Sequence, residues 1–172
     1  MKDRVPLLLL GIIVALLAGM CLLAHEKGAV MVTTPGVELQ LKSRLGRGVV
    51  LRSASQPVAV PARAYRPIYL TLTGERDGET WKASSWGPWG KLDRVQIARG
   101  RATDIELGAP LLIKPEVTVY PGQVRVALRL LGCAGEQYSN AILRNNQRIP
   151  GPPVKIIDEA GTVLASGQFQ FG

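Results

Sequence analysis

An all-β fold follows from three features of the chain. Apolar and polar residues alternate with period 2 in several short runs, as in Val37-Glu-Leu-Gln-Leu-Lys42 and Ile68-Tyr-Leu-Thr-Leu-Thr73. The 19 glycines and 12 prolines are numerous and fall between the apolar runs, where turns belong. No segment of helix length with a 3.6-residue period occurs after residue 36. Many short strands with frequent turn signals predict an antiparallel β-sandwich, in one unit or two small lobes.

Ahead of that domain stands an uncharged apolar block, Leu7 to Ala24. A helix needs about 20 apolar residues to cross the hydrocarbon core, so this block is a transmembrane anchor by length. Lys2 and Arg4 precede it, and basic residues stay on the cytoplasmic side, which puts the remainder of the chain outside. Two alternatives stay open. The block is a secretory signal cut after Ala24, giving a secreted domain, although Leu22 fits a small-x-small site poorly. Or Cys21 is lipidated, although Met20 is larger than the residue such sites favour. Residues 25–36 read as a linker closed by Thr33-Thr-Pro-Gly36, residues 37–108 as a first β-lobe and residues 109–172 as a second.

Within the first lobe, Val37, Leu39 and Leu41 point to one face, and Val49 to Arg52 is the hairpin partner. Pro57, Pro61 and Pro67 confine the next stretch to edge or irregular extended structure. Ile68, Leu70 and Leu72 alternate with polar neighbours, and Asp77-Gly78 turns this strand back into Glu79 to Ser84. Trp86 to Gly90 is a loop. Val95 to Ala98 and Thr103 to Leu107 are short strands across Arg99-Gly-Arg101, and Gly108-Ala-Pro110 breaks the pattern.

In the second lobe, Pro121-Gly122 joins Glu116–Tyr120 to Val124–Leu131, with Val124, Val126, Leu128 and Leu130 toward a core and Arg125 and Arg129 toward water. Gly132 to Pro153 is a long polar loop turning at Asn145-Asn146. A last hairpin turns at Ala160-Gly161, and Phe169 and Phe171 share a face at the end.

The run Val95 to Leu111 resembles the last strands of carboxypeptidase-regulatory-like β-sandwich modules, an immunoglobulin-like arrangement. Gly135-Glu-Gln-Tyr138, Asn146-Gln-Arg148, Ile157 to Gly161 and Gly167 to Gly172 are similar to segments of uncharacterised bacterial envelope proteins. The resemblance covers about half the chain. It implies an extracytoplasmic sandwich and carries no activity, cofactor or site residue.

The residues for catalysis are sparse. The one histidine, His25, abuts the apolar block, so neither a Ser-His-Asp group nor a histidine-based zinc site is expected. No phosphate-binding glycine loop is present. Asp104 and Glu106 share a face, but alternation with Ile105 and Leu107 reads as a solvated strand. Glu75, Asp77 and Glu79 lack calcium-loop spacing. Cys133 has no partner in its own domain. The expectation is a non-enzyme without metal or cofactor.

Binding is the remaining class. Trp81, Trp86 and Trp89 fall within nine positions. Exposed Trp faces stack on sugars or anchor proteins, whereas the plainer reading has Trp81 fill the core and Trp86 and Trp89 cover its open end. Tyr138, Arg144 and Arg148 form a second candidate surface in the long loop. The net charge is +8, and Lys42, Arg44, Arg47, Arg52, Arg63 and Arg66 stand against Glu38 alone between Val37 and Leu70. Such a field attracts lipid head groups, envelope polyanions or acidic proteins, or serves simply as a soluble face. Placement outside the cell argues against nucleic acid. The sequence thus predicts a membrane-tethered, extracytoplasmic module for binding or envelope assembly, with an envelope protein or anionic glycan as partner. A carbohydrate-binding module built on Trp86 and Trp89 is the second reading.

Overall fold

A computed structural model describes residues 27–139 and 141–169. The apolar block, Cys21 and His25 lie outside the described residues, as does Phe171 of the expected closing strand. The described residues form strands, turns and a single 3-10 turn, Gly90–Leu92, and none of them forms an α-helix. No helix among them is long and apolar enough to cross a membrane.

The first six strands are β1 (Lys27–Val32), β2 (Val37–Ser43), β3 (Gly48–Arg52), β4 (Val58–Pro61), β5 (Ala64–Arg76) and β6 (Glu79–Ser85). Then come β7 (Val95–Gln96), β8 (Ala102–Ile105), β9 (Leu112–Tyr120), β10 (Gln123–Leu131), β11 (Gln137–Tyr138), β12 (Leu143–Arg144) and β13 (Gln147–Arg148). The hairpin β14 (Pro153–Ile157) and β15 (Val163–Gln168) ends the described chain.

Two sheets make the sandwich-like body. The larger has the order β13-β12-β6-β5-β2-β3, with β7 added to the start of β5. The smaller has the order β4-β1-β8, in which β1 runs parallel to β8. Alternation decides which side chains meet between them. Val37, Leu39 and Leu41 of β2 all turn inward and are buried, as the period-2 reading requires. They join Leu70 of β5, Val30 and Val32 of β1, Val60 of β4 and Ile105 of β8 in one core.

β1 lies where the sequence reading places a linker. Its residues Ala29-Val-Met-Val32 are all apolar, so the strand shows no period-2 alternation of its own. Pairing supplies what the pattern lacks: β1 is the central strand of its sheet, with β4 on one side and β8 on the other. The Thr33-Thr-Pro-Gly36 turn then folds β1 back onto β2. Gly36 has φ +70°, and a Cβ there would strike the Thr73 carbonyl, so this turn needs glycine.

Pro67 does not end its strand. The β2–β5 register slips between Gln40 and Leu41, placing Tyr69 opposite Gln40 and Pro67 opposite Leu41. The extra residue, Ile68, is exposed, against the expectation that it shares the inward face of Leu70 and Leu72. The β5–β6 hairpin turns on Asp77 (φ 54°) and Gly78 (φ +74°), as the Asp-Gly pair predicts. β7 and β8 flank the Arg99-Gly-Arg101 turn but belong to different sheets, so the turn carries the chain across the sandwich.

Beyond Gly108-Ala-Pro110 the chain returns to the same core: Leu130, Ala134 and Tyr138 are buried in it. Residues 132–139 and 141–153 hold more strand pairing than a long loop would. β11 pairs β10, and β12 pairs β6, fastened by the Asn145 N–H donating to the Thr80 carbonyl at 2.8 Å. Two-residue strands carry no readable periodicity, so pairing alone defines them. The upper part of β9–β10 leaves the core, and of the four residues expected to face it only Leu130 is fully buried.

Candidate functional site

The five residues singled out in the sequence do not form one surface. Trp86 is 65 % exposed and leans on Tyr69, ring centroids 5.2 Å apart and planes at 47°. Trp89 is half-buried against the core. The two therefore do not cover the open end together, and they do not offer a matched pair of free ring faces. Trp81 is outside the core cluster; Arg144 lies over its ring at 5.8 Å and reaches Glu79 at 3.7 Å. Arg148 is exposed on β13.

Tyr138 is the clear correction. It is 1 % exposed, and its hydroxyl donates to Glu136 Oε1 at 3.2 Å, so it belongs to the interior and not to a contact patch with Arg144 and Arg148. Burial, then the adjacent Glu136 carboxylate, push its phenol well above the usual tyrosine range. Glu136 itself is fully buried. Oε1 also accepts the Gly108 N–H at 2.5 Å, and Oε2 accepts the Ala134 N–H at 3.0 Å. A Cβ on Gly132 would overlap this carboxylate, which explains the glycine there. The Lys91 N–H bonds the Ala134 carbonyl at 2.9 Å and the Gln137 N–H bonds the Pro88 carbonyl at 2.8 Å. The loop 132–138 is thus a junction joining β10, the 87–92 segment and the Gly108 break. Its acid serves architecture. A carboxylate beside glycines, Gly135-Glu-Gln-Tyr138, was visible in the sequence; its burial was not.

Cys133 is exposed, and desolvation and the Glu136 charge raise its thiol pKa, which favours the unreactive protonated form. Asp104 and Glu106 are exposed while Ile105 and Leu107 are buried, as the alternation predicts. Among the described residues no group of three His, Cys, Asp or Glu side chains is placed to hold a metal ion.

Two features carry more functional content. The first is the face of the β9–β10 hairpin. Register pairs Val119 with Val124, Val117 with Val126, Pro115 with Leu128 and Ile113 with Leu130, so one face is apolar along its whole length. Val117, Val119, Ile113 and Val124 are each about half exposed or more. The charges lie on the other face, where Arg129 pairs with Glu116 at 2.9 Å.

The second is a basic cleft. Lys42 of β2 stands directly opposite Arg66 of β5, and β7 pairs with the start of β5 just after Arg94. Lys42, Arg44, Arg66 and Arg94 line a cleft of about 530 Å³ with Ser43, Ala64, Tyr65 and Ile68. The sequence reading counted three of these cations; Arg94 joins them only through the β5–β7 pairing.

The chain matches no family model, no curated protein and no solved structure. The fold and these two surfaces are therefore the basis for function.

Proposed function

We propose that this chain is a membrane-tethered, non-enzymatic β-sandwich module working outside the cytoplasm in envelope assembly. The Leu7–Ala24 block supplies the tether. The resemblance to carboxypeptidase-regulatory-like modules agrees with this class and adds no activity. The observation that carries the reading is the apolar face of β9–β10. Contiguous apolar patches beyond a few hundred Å² are uncommon on monomers and mark interaction surfaces.

The proposed occupant is a second copy of this chain. The chain carries +8 overall, so two copies repel wherever their charged surfaces meet. The β9–β10 face has no charge, and its charged residues are held on the opposite side of the hairpin. Two such faces pack under a two-fold axis as sheet on sheet, about 10 Å apart. A shared membrane raises the effective concentration of the copies for each other.

Replacing the central rung, Val117→Asp with Val126→Asp, tests this. Light scattering on the full chain in uncharged detergent should give a dimer for the parent and a monomer for the variant, with the β-type circular dichroism spectrum kept because the upper hairpin lies outside the core. A parent that stays monomeric at tens of micromolar would overturn the reading.

The carbohydrate reading keeps one supporting observation, the exposed Trp86 ring beside Tyr69. It predicts that Trp86→Ala abolishes glycan pull-down without loss of stability.

A further inference from the structure

The basic cleft has properties that a merely soluble face does not need. Lys42 and Arg66 are directly opposed across neighbouring strands, an arrangement of like charges that destabilises a sheet unless something offsets it. Among the described residues, Lys42, Arg44, Arg66 and Arg94 take part in no ion pair, and no carboxylate lines the cleft. Three of the acids on strands are engaged elsewhere: Glu38 with Arg52, Glu79 with Arg144 and Glu116 with Arg129.

Strand geometry gathers the cations on one side. Lys42 and Arg66 are exposed on the outer face, while their neighbours Ser43 and Tyr65 are buried on the inner one, so the cations alone present donors to the cleft. An oxyanion offsets their mutual repulsion and accepts from the lysine and the arginine forks together. A tetrahedral phosphate, with several acceptor oxygens, suits one lysine and three arginines better than a single carboxylate does.

We propose that the cleft of Lys42, Arg44, Arg66 and Arg94 is a binding site for a phosphate group. Its place in the fold suggests the donor. Lys27, the first residue of β1, pairs with Pro61, and its carbonyl accepts the Gly100 N–H at 3.1 Å. Three residues after Pro61, Ala64 opens β5 at the cleft. The chain therefore enters the sandwich at the same end that bears the cations. Leu7–Ala24 ends three residues before Lys27, so once that block lies in a bilayer this end faces the head groups. An anionic phospholipid is the source this geometry favours. This clause rests on the anchor reading, whereas phosphate recognition itself does not.

Two arms on the full chain separate the sources. In the first, the protein in uncharged detergent is titrated with inorganic phosphate at constant ionic strength, and its melting temperature is followed. In the second, the protein is reconstituted in nanodiscs of phosphatidylcholine with or without phosphatidylglycerol, and lipids retained on release are identified by native mass spectrometry. Lys42→Gln with Arg66→Gln should weaken the response about tenfold or more, the loss of two charge-assisted contacts. Arg76→Gln, which removes a charge in the distant β5–β6 hairpin, should leave it unchanged.

Retention of phosphatidylglycerol over phosphatidylcholine, lost in the double variant, supports the lipid source. A melting response to phosphate without lipid retention supports a free phosphate ligand and overturns the lipid source. No response in either arm, or responses equal in the parent, the double variant and Arg76→Gln, overturns the site. Unchanged circular dichroism of the double variant shows that it has folded.

Discussion

Glu136 offers the sharpest test of how the sandwich is held together. Its carboxylate is the single acceptor for three buried donors: the N–H groups of Gly108 and Ala134 and the hydroxyl of Tyr138. Replacing it with Ala leaves all three without a partner and opens a cavity where Gly132 now touches the acid. Each stranded buried group costs about 1–3 kcal/mol, and shared relaxation makes the sum less than additive, so about 4–6 kcal/mol is expected. That is a large part of the ~5–15 kcal/mol that ordinary domains possess. Gln is the informative control. Its oxygen can keep the Oε1 bonds to Gly108 and Tyr138, while its NH₂ cannot accept from Ala134, so about 2 kcal/mol is expected. Urea unfolding followed by tryptophan fluorescence gives both numbers from the midpoint at constant slope. An Ala variant within about 1 kcal/mol of the parent would refute the claim that this acid joins the junction together.

Other outcomes follow from the same fold. A fragment beginning at residue 37 should not fold, because it lacks the central strand of the smaller sheet and the buried Val30 and Val32; a fragment from residue 27 should give a β-type circular dichroism spectrum. Trp86→Ala should leave stability within about 0.5 kcal/mol, whereas Trp89→Ala should cost about 2–3 kcal/mol, measured in the same unfolding assay. Tyr138 has a folded-state pKa above its unfolded value near 10, so the folded state holds the proton more tightly. Its contribution is complete below about pH 10 and is lost as pH rises past the unfolded value. Unfolding midpoints should therefore fall between about pH 9.5 and 11, and Tyr138→Phe should flatten that fall; a midpoint that rises with pH there would contradict it.

Legibility in the sequence followed the physics of each element. β2 and the β5–β6 hairpin were readable because alternation and an Asp-Gly turn are local signals. β1 was not, since Ala29 to Val32 are all apolar and show no period-2 alternation. Ile68 falls on the other face because it is itself the extra residue between the paired Pro67 and Tyr69, and a bulge leaves no mark in the alternation. β11 to β13 are too short to have a period and exist through long-range pairing.

The candidate surfaces show the same division. Trp86 and Trp89 were conspicuous by type, yet only Trp86 is well exposed. The apolar set Val124, Val126, Leu128 and Leu130 was correctly placed on one face, but sequence alone assigned that face to a core. The cations are countable; their convergence with Arg94 depends on tertiary register.

The account rests most heavily on what covers β9–β10, and a photo-crosslinker placed at Val119, 73 % exposed on that face, reports this directly. The full chain carrying it is irradiated in native membranes and the adduct is digested and sequenced by mass spectrometry. The account predicts an adduct of twice the chain mass whose peptides all come from this chain and which disappears with Val117→Asp and Val126→Asp. An adduct with a different polypeptide, or no adduct at all, would contradict it.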